Sequence, residues 1–330
     1  MAHSVIICDD SRFARNQLAR ALPAGFAQEL HHAGNGREAL ALLRARKGEL
    51  LFLDLNMPDL DGYQVLETIR REDLHCLVIV VSGDIQPQAQ QRIMSLGALA
   101  FMRKPLATNQ LHQLLLQYGL LSELPAPGEP AAASLGNQPV GYLESLQELL
   151  NVAMGQAANQ MANLLNVFIH LPIPALRLCS RHQVMTEVAN WCQSESHCLV
   201  SQGFIGSNLA GECLIRLDRN DGDKILRLMG QEEAEGDGHE VLMELATMLS
   251  SALLLGLAEQ LGFRLSHSHP TMANNLDDSH IPLADDHALP VLSVNFTYTI
   301  PSQQLSCDLL LLFTEASLRP LEQRLSLLVE

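Results

Sequence analysis

Apolar positions along the first 120 residues follow two alternating rhythms. Short, mostly apolar runs at residues 4–8, 29–33, 50–53, 77–81 and 98–102 read as strands buried in a sheet. Between them, apolar residues recur at helical spacing from Ser11 to Leu22, Arg37 to Arg46, Tyr63 to Arg71, Gln88 to Leu96 and Leu106 to Tyr118. Strands alternating with helices at this interval predict a doubly wound, five-stranded parallel sheet covered on both faces.

The pattern stops at Ser122. Residues 122–140 hold four prolines and two glycines with little periodicity, which reads as a linker between a domain at 1–121 and a second at 141–330. The second region is built differently. Tyr142 to Leu165 forms one long amphipathic helix, with Leu143, Leu146, Leu150, Met154 and Ala158 at helical intervals. Strand-like runs follow at 175–179, 196–204 and 212–217, with a short helix at 221–229. A second long helix spans 239–261. Strands are expected near 264–267, 289–299 and 305–313, with a closing helix at 314–328. The polar stretch 274–287 reads as a loop. These elements predict an α+β domain made of two pseudo-symmetric repeats, about 142–236 and 237–330.

A spacing pattern supports the duplication. Glu144-x3-Glu148-x2-Asn151-x22-Pro174 recurs 96 residues later as Glu240-x3-Glu244-x2-Thr247-x22-Pro270. The copies differ where a carboxamide has become a hydroxyl. Glu148 and Asn151 lie three apart and share a helix face. Their flanks are apolar, and the pair is expected on the opposite, solvated side. An amide there can donate to and accept from a single water, orienting it as a nucleophile, whereas a carboxylate would be repelled by a phosphoryl group. Glu148 suits gripping a cation such as a lysine. Pro174 would fix the approach of the next strand.

Composition narrows the partners. The 330 residues carry 37 acidic and 21 basic side chains, a formal charge of -16, and 4% aromatics. That balance disfavours a phosphate-backbone partner and base-stacking platforms, and, with no basic recognition helix in the sequence, a transcription factor. Seven cysteines without a C-x-x-C pair suit reduced, buried thiols. The N-terminal apolar run is too short and too acidic at its end for a signal peptide, and the apolar stretches at 249–257 and 309–313 are too short for a membrane span. A cytoplasmic location is expected. His267, His269, His280 and His287 are irregularly spaced and read as solvated, not metal-binding. Trp191 is expected to be partly buried.

The predicted parallel sheet brings chemistry together. Asp9 and Asp10 end the first strand, Asp54 the third, Ser82 the fourth and Lys104 the fifth, and side chains at the carboxyl ends of such strands share one crevice. Three carboxylates there call for a cation, and Mg2+ suits oxygen donors while keeping waters for a phosphate. A lysine and a serine hydroxyl could each hold a phosphoryl oxygen. The implied reaction is phosphoryl transfer to a carboxylate.

The run Asp54-Leu-Asn56-Met57-Pro58-Asp-Leu-Asp61-Gly62, with Asp9-Asp10, Ser82 and Lys104-Pro105 in register, resembles the receiver domain of two-component response regulators over residues 1–121. The resemblance implies a flavodoxin-like fold and Asp54 as phosphoacceptor, loaded by a sensor histidine kinase. It implies Mg2+ on Asp10, Asp54 and the Asn56 carbonyl, with Asp9 helping. Ser82 and Phe101 would be the switch pair, and Asn56 and Asp84 would tune self-hydrolysis.

Residues 142–330 resemble the CheC/CheX/FliY phosphatases, whose signature is Asp/Ser-x3-Glu-x2-Asn-x22-Pro. Glu148, Asn151 and Pro174 fit it. Glu144 departs from it, with Ser145 one place off, and Thr247 makes the second copy degenerate. By resemblance, this region hydrolyses the aspartyl phosphate of phosphorylated CheY-type chemotaxis receivers, with Asn151 placing water and Glu148 engaging the substrate's lysine. The receiver, phosphorylated on Asp54, is expected to regulate this activity by packing on or freeing the Glu148–Asn151 face. A variant of the reading takes the chain's own Asp54 as substrate, a contact that a linker of nineteen residues, reaching roughly 24 Å, makes feasible. The other reading is a non-catalytic adaptor, controlled by phosphorylation of Asp54, that docks on a chemotaxis or flagellar-switch partner. A homodimer is compatible with either.

Overall fold

The computed structural model describes residues 3–121, 141–192, 196–229, 238–273 and 290–329. The expected linker at 122–140 and loop at 274–287 lie outside the described residues. The chain divides into two compact units, Met1–Glu148 and Leu149–Glu330.

The first unit alternates β1 (His3–Cys8), α1 (Arg12–Ala21), β2 (Ala27–Ala33), α2 (Gly36–Arg44), β3 (Leu50–Leu53), α3 (Gly62–Arg71), β4 (Leu77–Ser82), α4 (Pro87–Ser95), β5 (Ala100–Arg103) and α5 (Thr108–Gln117). The strands pair in parallel in the order β2-β1-β3-β4-β5, the flavodoxin-like arrangement. Successive strand residues point to opposite faces, so each strand feeds two cores. One holds Ile6, Leu51, Leu53, Val78, Val80 and Ile93. The other holds Val5, Ile7, Phe52, Ile79, Leu111 and Leu115. Each such side chain stabilises the fold by about 2 kcal/mol. Helix starts are set by local chemistry. Ser11 accepts from the Ala14 amide, Asn35 from the Glu38 amide, and Asp61 forms a reciprocal capping box with Gln64. Gly62 is required by close approach, because a Cβ there would sit 2.3 Å from the Asp54 carbonyl oxygen.

A long helix, α6 (Tyr142–Leu165), follows, and its first two turns to Glu148 belong to the first unit. The second unit continues with β6 (Ala175–Cys179), α7 (Arg181–Cys192), β7 (His197–Gly206), β8 (Leu209–Asp218), α8 (Gly222–Leu228), α9 (Gly238–Leu261), β9 (Ser266–His267), β10 (Thr271–Ala273), β11 (Val291–Ile300), β12 (Leu305–Phe313) and α10 (Glu315–Val329). Its strands are antiparallel in the order β10-β7-β8-β12-β11-β6, with β9 also on β7. The order is unchanged when the halves are exchanged: β6 from the first half completes the second half's hairpin, and β10 completes the first's. The two long helices begin at Tyr142 and Gly238 and end at Leu165 and Leu261, 96 residues apart at both ends. β6 and β10 each begin immediately after a proline of the repeated pattern, Pro174 and Pro270.

The helices cross closely at Gly256, where a Cβ would lie 3.1 Å from the Ala153 Cα. Gln260 Nε2 donates to the Leu149 carbonyl at 2.9 Å, and the buried Tyr298 hydroxyl donates to the Met154 carbonyl at 2.9 Å. As a whole, α9 is long and apolar enough to cross a bilayer, more than its central stretch suggested. Its apolar window is 67% buried within the protein, and Leu242, Leu245, Leu249, Leu253 and Leu257 line the core.

One element escaped the sequence pattern. α7 covers part of the sheet through Val184, Val188 and Trp191, packed with Leu199, Leu214 and Leu310. Its apolar residues, Val184, Met185, Val188, Ala189, Trp191 and Cys192, are spread around the helix and make only a weak stripe. The signal was at its start: Ser180 Oγ accepts from the Gln183 amide while Gln183 Oε1 accepts from the Ser180 amide, a capping box. Trp191, expected to be partly buried, is 9% exposed and counts as core. Cys8, Cys198, Cys213 and Cys307 are buried free thiols.

Candidate functional site

Within the first unit, the carboxyl ends of β1, β3 and β5 bring Asp9, Asp54 and Lys104 into one buried cluster. Lys104 Nζ lies 2.7 Å from Asp9 Oδ2 and 3.3 Å from Asp54 Oδ1. A third carboxylate joins them: Glu148 Oε1 stands 2.8 Å from the same ammonium. Asp9 is fixed from its other oxygen, which accepts the Ser11 amide at 2.9 Å. Asp10 is half-buried beside them, and carboxylate oxygens of Asp9, Asp10 and Asp54 lie within 4.8 Å of one another.

The electrostatics follow from crowding. Burial pushes Asp54 well above the ordinary carboxylate range, Lys104 pulls it back, and Asp9 and Glu148 push it further up. Burial raises Asp10 to about 6, with Asp9 adding to the shift. Burial raises Glu148 to about 7, opposed by Lys104 and reinforced by Asp9. Burial works against the charge on Lys104, but Asp54, Asp9 and Glu148 outweigh it and hold its pKa well above the usual lysine value. Four carboxyl groups thus face one ammonium. Three convergent carboxylates are a hard-oxygen donor set of the kind Mg2+ prefers, so the residues fit that ion.

The remaining expected residues take varied places. Ser82 ends β4, is fully buried, and its Oγ accepts the Asp84 amide at 3.1 Å. Asp84 is buried, accepts the Gln86 amide at 3.0 Å, and is raised by burial to about 6. Phe101 on β5 is half-buried against the core. Asn56 is half-buried after β3.

Glu148 and Asn151 do not lie on a solvated face, contrary to the sequence expectation. They are 4% and 7% exposed. From Ser145 to Met154, only Gln147 is not buried, so α6 has no wet side there. A helix enclosed on all sides buries its polar positions with its apolar ones. Three of those polar atoms, Ser145 Oγ, Glu148 Oε2 and Asn151 Oδ1, are buried without a hydrogen-bond partner among the described residues. They recur at i, i+3 and i+6, a single line along the helix. Such groups are normally satisfied, by ordered water where no protein atom reaches. Glu144, at the position that departs from the phosphatase signature, accepts the backbone amide of Arg12. Sequence reasoning had given that glutamate no role.

The second copy is open. Glu240 and Glu244 are exposed and Thr247 is half-buried. The Thr247 hydroxyl donates to the Met243 carbonyl at 2.6 Å, one turn back in its own helix. Of the histidines, His267 stands 3.3 Å from Gln202 Nε2 and His269 is exposed, while His280 and His287 lie outside the described residues. Among the described residues, the three-aspartate cluster is the one group arranged to hold a metal.

Residues 5–116 match the response regulator receiver domain family. A protein-glutamate methylesterase/protein-glutamine glutaminase of Anaeromyxobacter dehalogenans is 32% identical over 155 residues, covering 47% of this chain and 42% of that protein. The chain spans less than half the length of the first curated relatives it matches. Among solved structures, Vibrio cholerae chemotaxis protein CheY4 is 24% identical, covers 36% of this chain and 98% of its own, and has a TM-score of 0.33. Thermotoga maritima FliY is 18% identical, covers 58% of this chain and 98% of its own, and has a TM-score of 0.44. The family match and the Asp9–Asp10–Asp54–Lys104 cluster agree, and the N-terminal part of this chain is a response regulator receiver domain.

Proposed function

We propose that a partner histidine kinase phosphorylates Asp54, and that α6 catalyses hydrolysis of the resulting acyl phosphate in the manner of the CheC/CheX/FliY phosphatases. The observation that carries this reading is the 2.8 Å pair between Glu148 and Lys104. A glutamate on the repeated signature grips a receiver lysine, the role the resemblance assigns to it, and the lysine is the chain's own. Asp54 is therefore the first substrate, and CheY-type receivers of separate chemotaxis proteins are reached when Glu148 is released.

In this mechanism, Lys104 holds a phosphoryl oxygen as a point charge. Glu148 is a positioning residue that fixes the ammonium. Asn151, one turn further along the same helix, holds the water: its carbonyl oxygen accepts a proton of the water and its NH2 donates to the water oxygen. The water oxygen bonds to phosphorus, and the bond from phosphorus to the Asp54 carboxylate oxygen breaks. The water proton ends on the released inorganic phosphate, and Asp54 returns as a carboxylate. Asp10, Asp54 and the Asn56 carbonyl, with Asp9 close by, would hold Mg2+, which when bound screens the phosphoryl charge. The second copy lacks the carboxamide and is silent. The proposal includes a cytoplasmic setting and no nucleic-acid partner.

The test is the decay of Asp54 phosphate after loading with acetyl phosphate. In dilute protein, decay should be independent of protein concentration, slowed by Asn151→Ala and Glu148→Ala, and unchanged in Thr247→Ala. Equal lifetimes for wild type and Asn151→Ala would overturn the hydrolase reading. The burial of Glu148 and Asn151 favours a second reading, a phosphorylation-controlled adaptor whose helix is hidden until the receiver changes state; it predicts binding to a phosphorylated receiver without shortening its lifetime.

A further inference from the structure

The second copy of the signature opens into a cavity of the second unit. It is a groove of about 1030 Å³ between α9 and the segment Phe263–Pro270, walled by Met243, Met248, Leu255, Phe263 and Leu265. Leu255 is 58% exposed within it. Glu240, Glu244 and Glu259 line it, along with Thr247 and Pro270 of the repeated pattern. In the first unit, two glutamates of α6 engage the receiver surface: Glu144 takes the Arg12 amide and Glu148 takes Lys104. Each recurs 96 residues later, Glu144 as Glu240 and Glu148 as Glu244, and both of these are exposed in the groove. The groove therefore repeats the two acidic positions that make those contacts, beside an apolar wall.

We infer that this groove is a docking surface for the Arg12–Lys104 face of a second copy of this chain, with Glu244 taking the partner's ammonium and Glu240 its backbone amide. The inference rests on the reading of Glu148 as a lysine grip. The copy of the chain is the occupant because its receiver face is the one that Glu144 and Glu148, the counterparts of these two glutamates, are seen to match. The surface holds without hydrolysing. Thr247 replaces the carboxamide and its hydroxyl proton is already given to the Met243 carbonyl. Glu148 and Glu244 then compete for the same lysine, and reciprocal exchange between two copies closes a two-fold dimer.

Sedimentation velocity of the full chain across a concentration series tests this, paired with carbodiimide coupling of an equal mixture of 14N and 15N protein. The expected result is a dimer and an isotopically mixed Lys104–Glu244 peptide. Glu244→Lys should abolish both while leaving the circular dichroism spectrum and melting curve unchanged, which shows that the variant folds. Glu148→Ala should tighten the dimer about tenfold, the weight of one charge-assisted hydrogen bond no longer competing. A monomer at every concentration in both wild type and Glu148→Ala overturns the inference, as does a dimer that Glu244→Lys leaves intact. Because Asn151 takes no part, a failed phosphatase test and a failed docking test remain distinct results.

Discussion

Replacing Asn151 with alanine should cost activity while leaving stability almost unchanged. The side chain is 7% exposed and its Oδ1 has no partner among the described residues. A buried carboxamide of this kind is normally satisfied by ordered water, so deleting it releases little desolvation penalty. Alanine gains roughly 0.5 kcal/mol of helix propensity. Against this, the lost side-chain packing of a small residue costs about 1 kcal/mol. The balance lies within about 1 kcal/mol of zero, a shift in melting temperature of no more than roughly 4 °C for a unit of this size. Activity should fall, because a positioned donor of this kind is worth on the order of 10²-fold or more in rate. Thermal unfolding followed by circular dichroism and the decay of Asp54 phosphate, measured on the same preparations, check both halves. A variant that melts several degrees lower and dephosphorylates at the wild-type rate would refute the reasoning and make Asn151 a structural residue.

Three further outcomes are expected. Gly62→Ala should cost about 1–3 kcal/mol by overpacking and suppress Asp54 phosphorylation by acetyl phosphate, since the added Cβ meets the Asp54 carbonyl oxygen at 2.3 Å. Asp84 has a folded pKa of about 6 against 3.8 unfolded, so the folded state holds its proton more tightly and stability falls as pH rises from about 4 to about 6; Asp84→Asn should flatten that slope and stabilise the protein by about 3 kcal/mol at pH 7, read from urea titrations at several pH values. Saturating Mg2+, about 100 times its Kd, should stabilise the folded protein by about 2.7 kcal/mol, an effect that Asp10→Asn should remove in the same titrations.

The receiver was legible because its information is local and periodic. β3 is four apolar residues with all four buried, and its end is marked by Asp54. The convergence of Asp9, Asp54 and Lys104 followed from strand order alone, since every parallel strand delivers its last residue to the same edge. The long helices were also legible, down to the bounds of α6. What failed was the environment of α6. Solvation of Glu148 was inferred from residue type, but a buried carboxylate looks the same in sequence as an exposed one until its counter-charge is located. That charge, Lys104, lies 44 residues before it in the chain, and no spacing rule links them. α7 was missed for a related reason. Its three core residues, Val184, Val188 and Trp191, are adequate only because Leu199, Leu214 and Leu310 meet them from the sheet.

The exchanged edge strands of the second unit explain why a copy that has lost its carboxamide persists. β10 lies against β7, and β6 against β11. Deleting the C-terminal repeat would strip a strand from the repeat that keeps its asparagine and leave its own strand without a host. Selection on one half's chemistry therefore protects the other half's backbone, while the side chains facing the groove are released to acquire a different use.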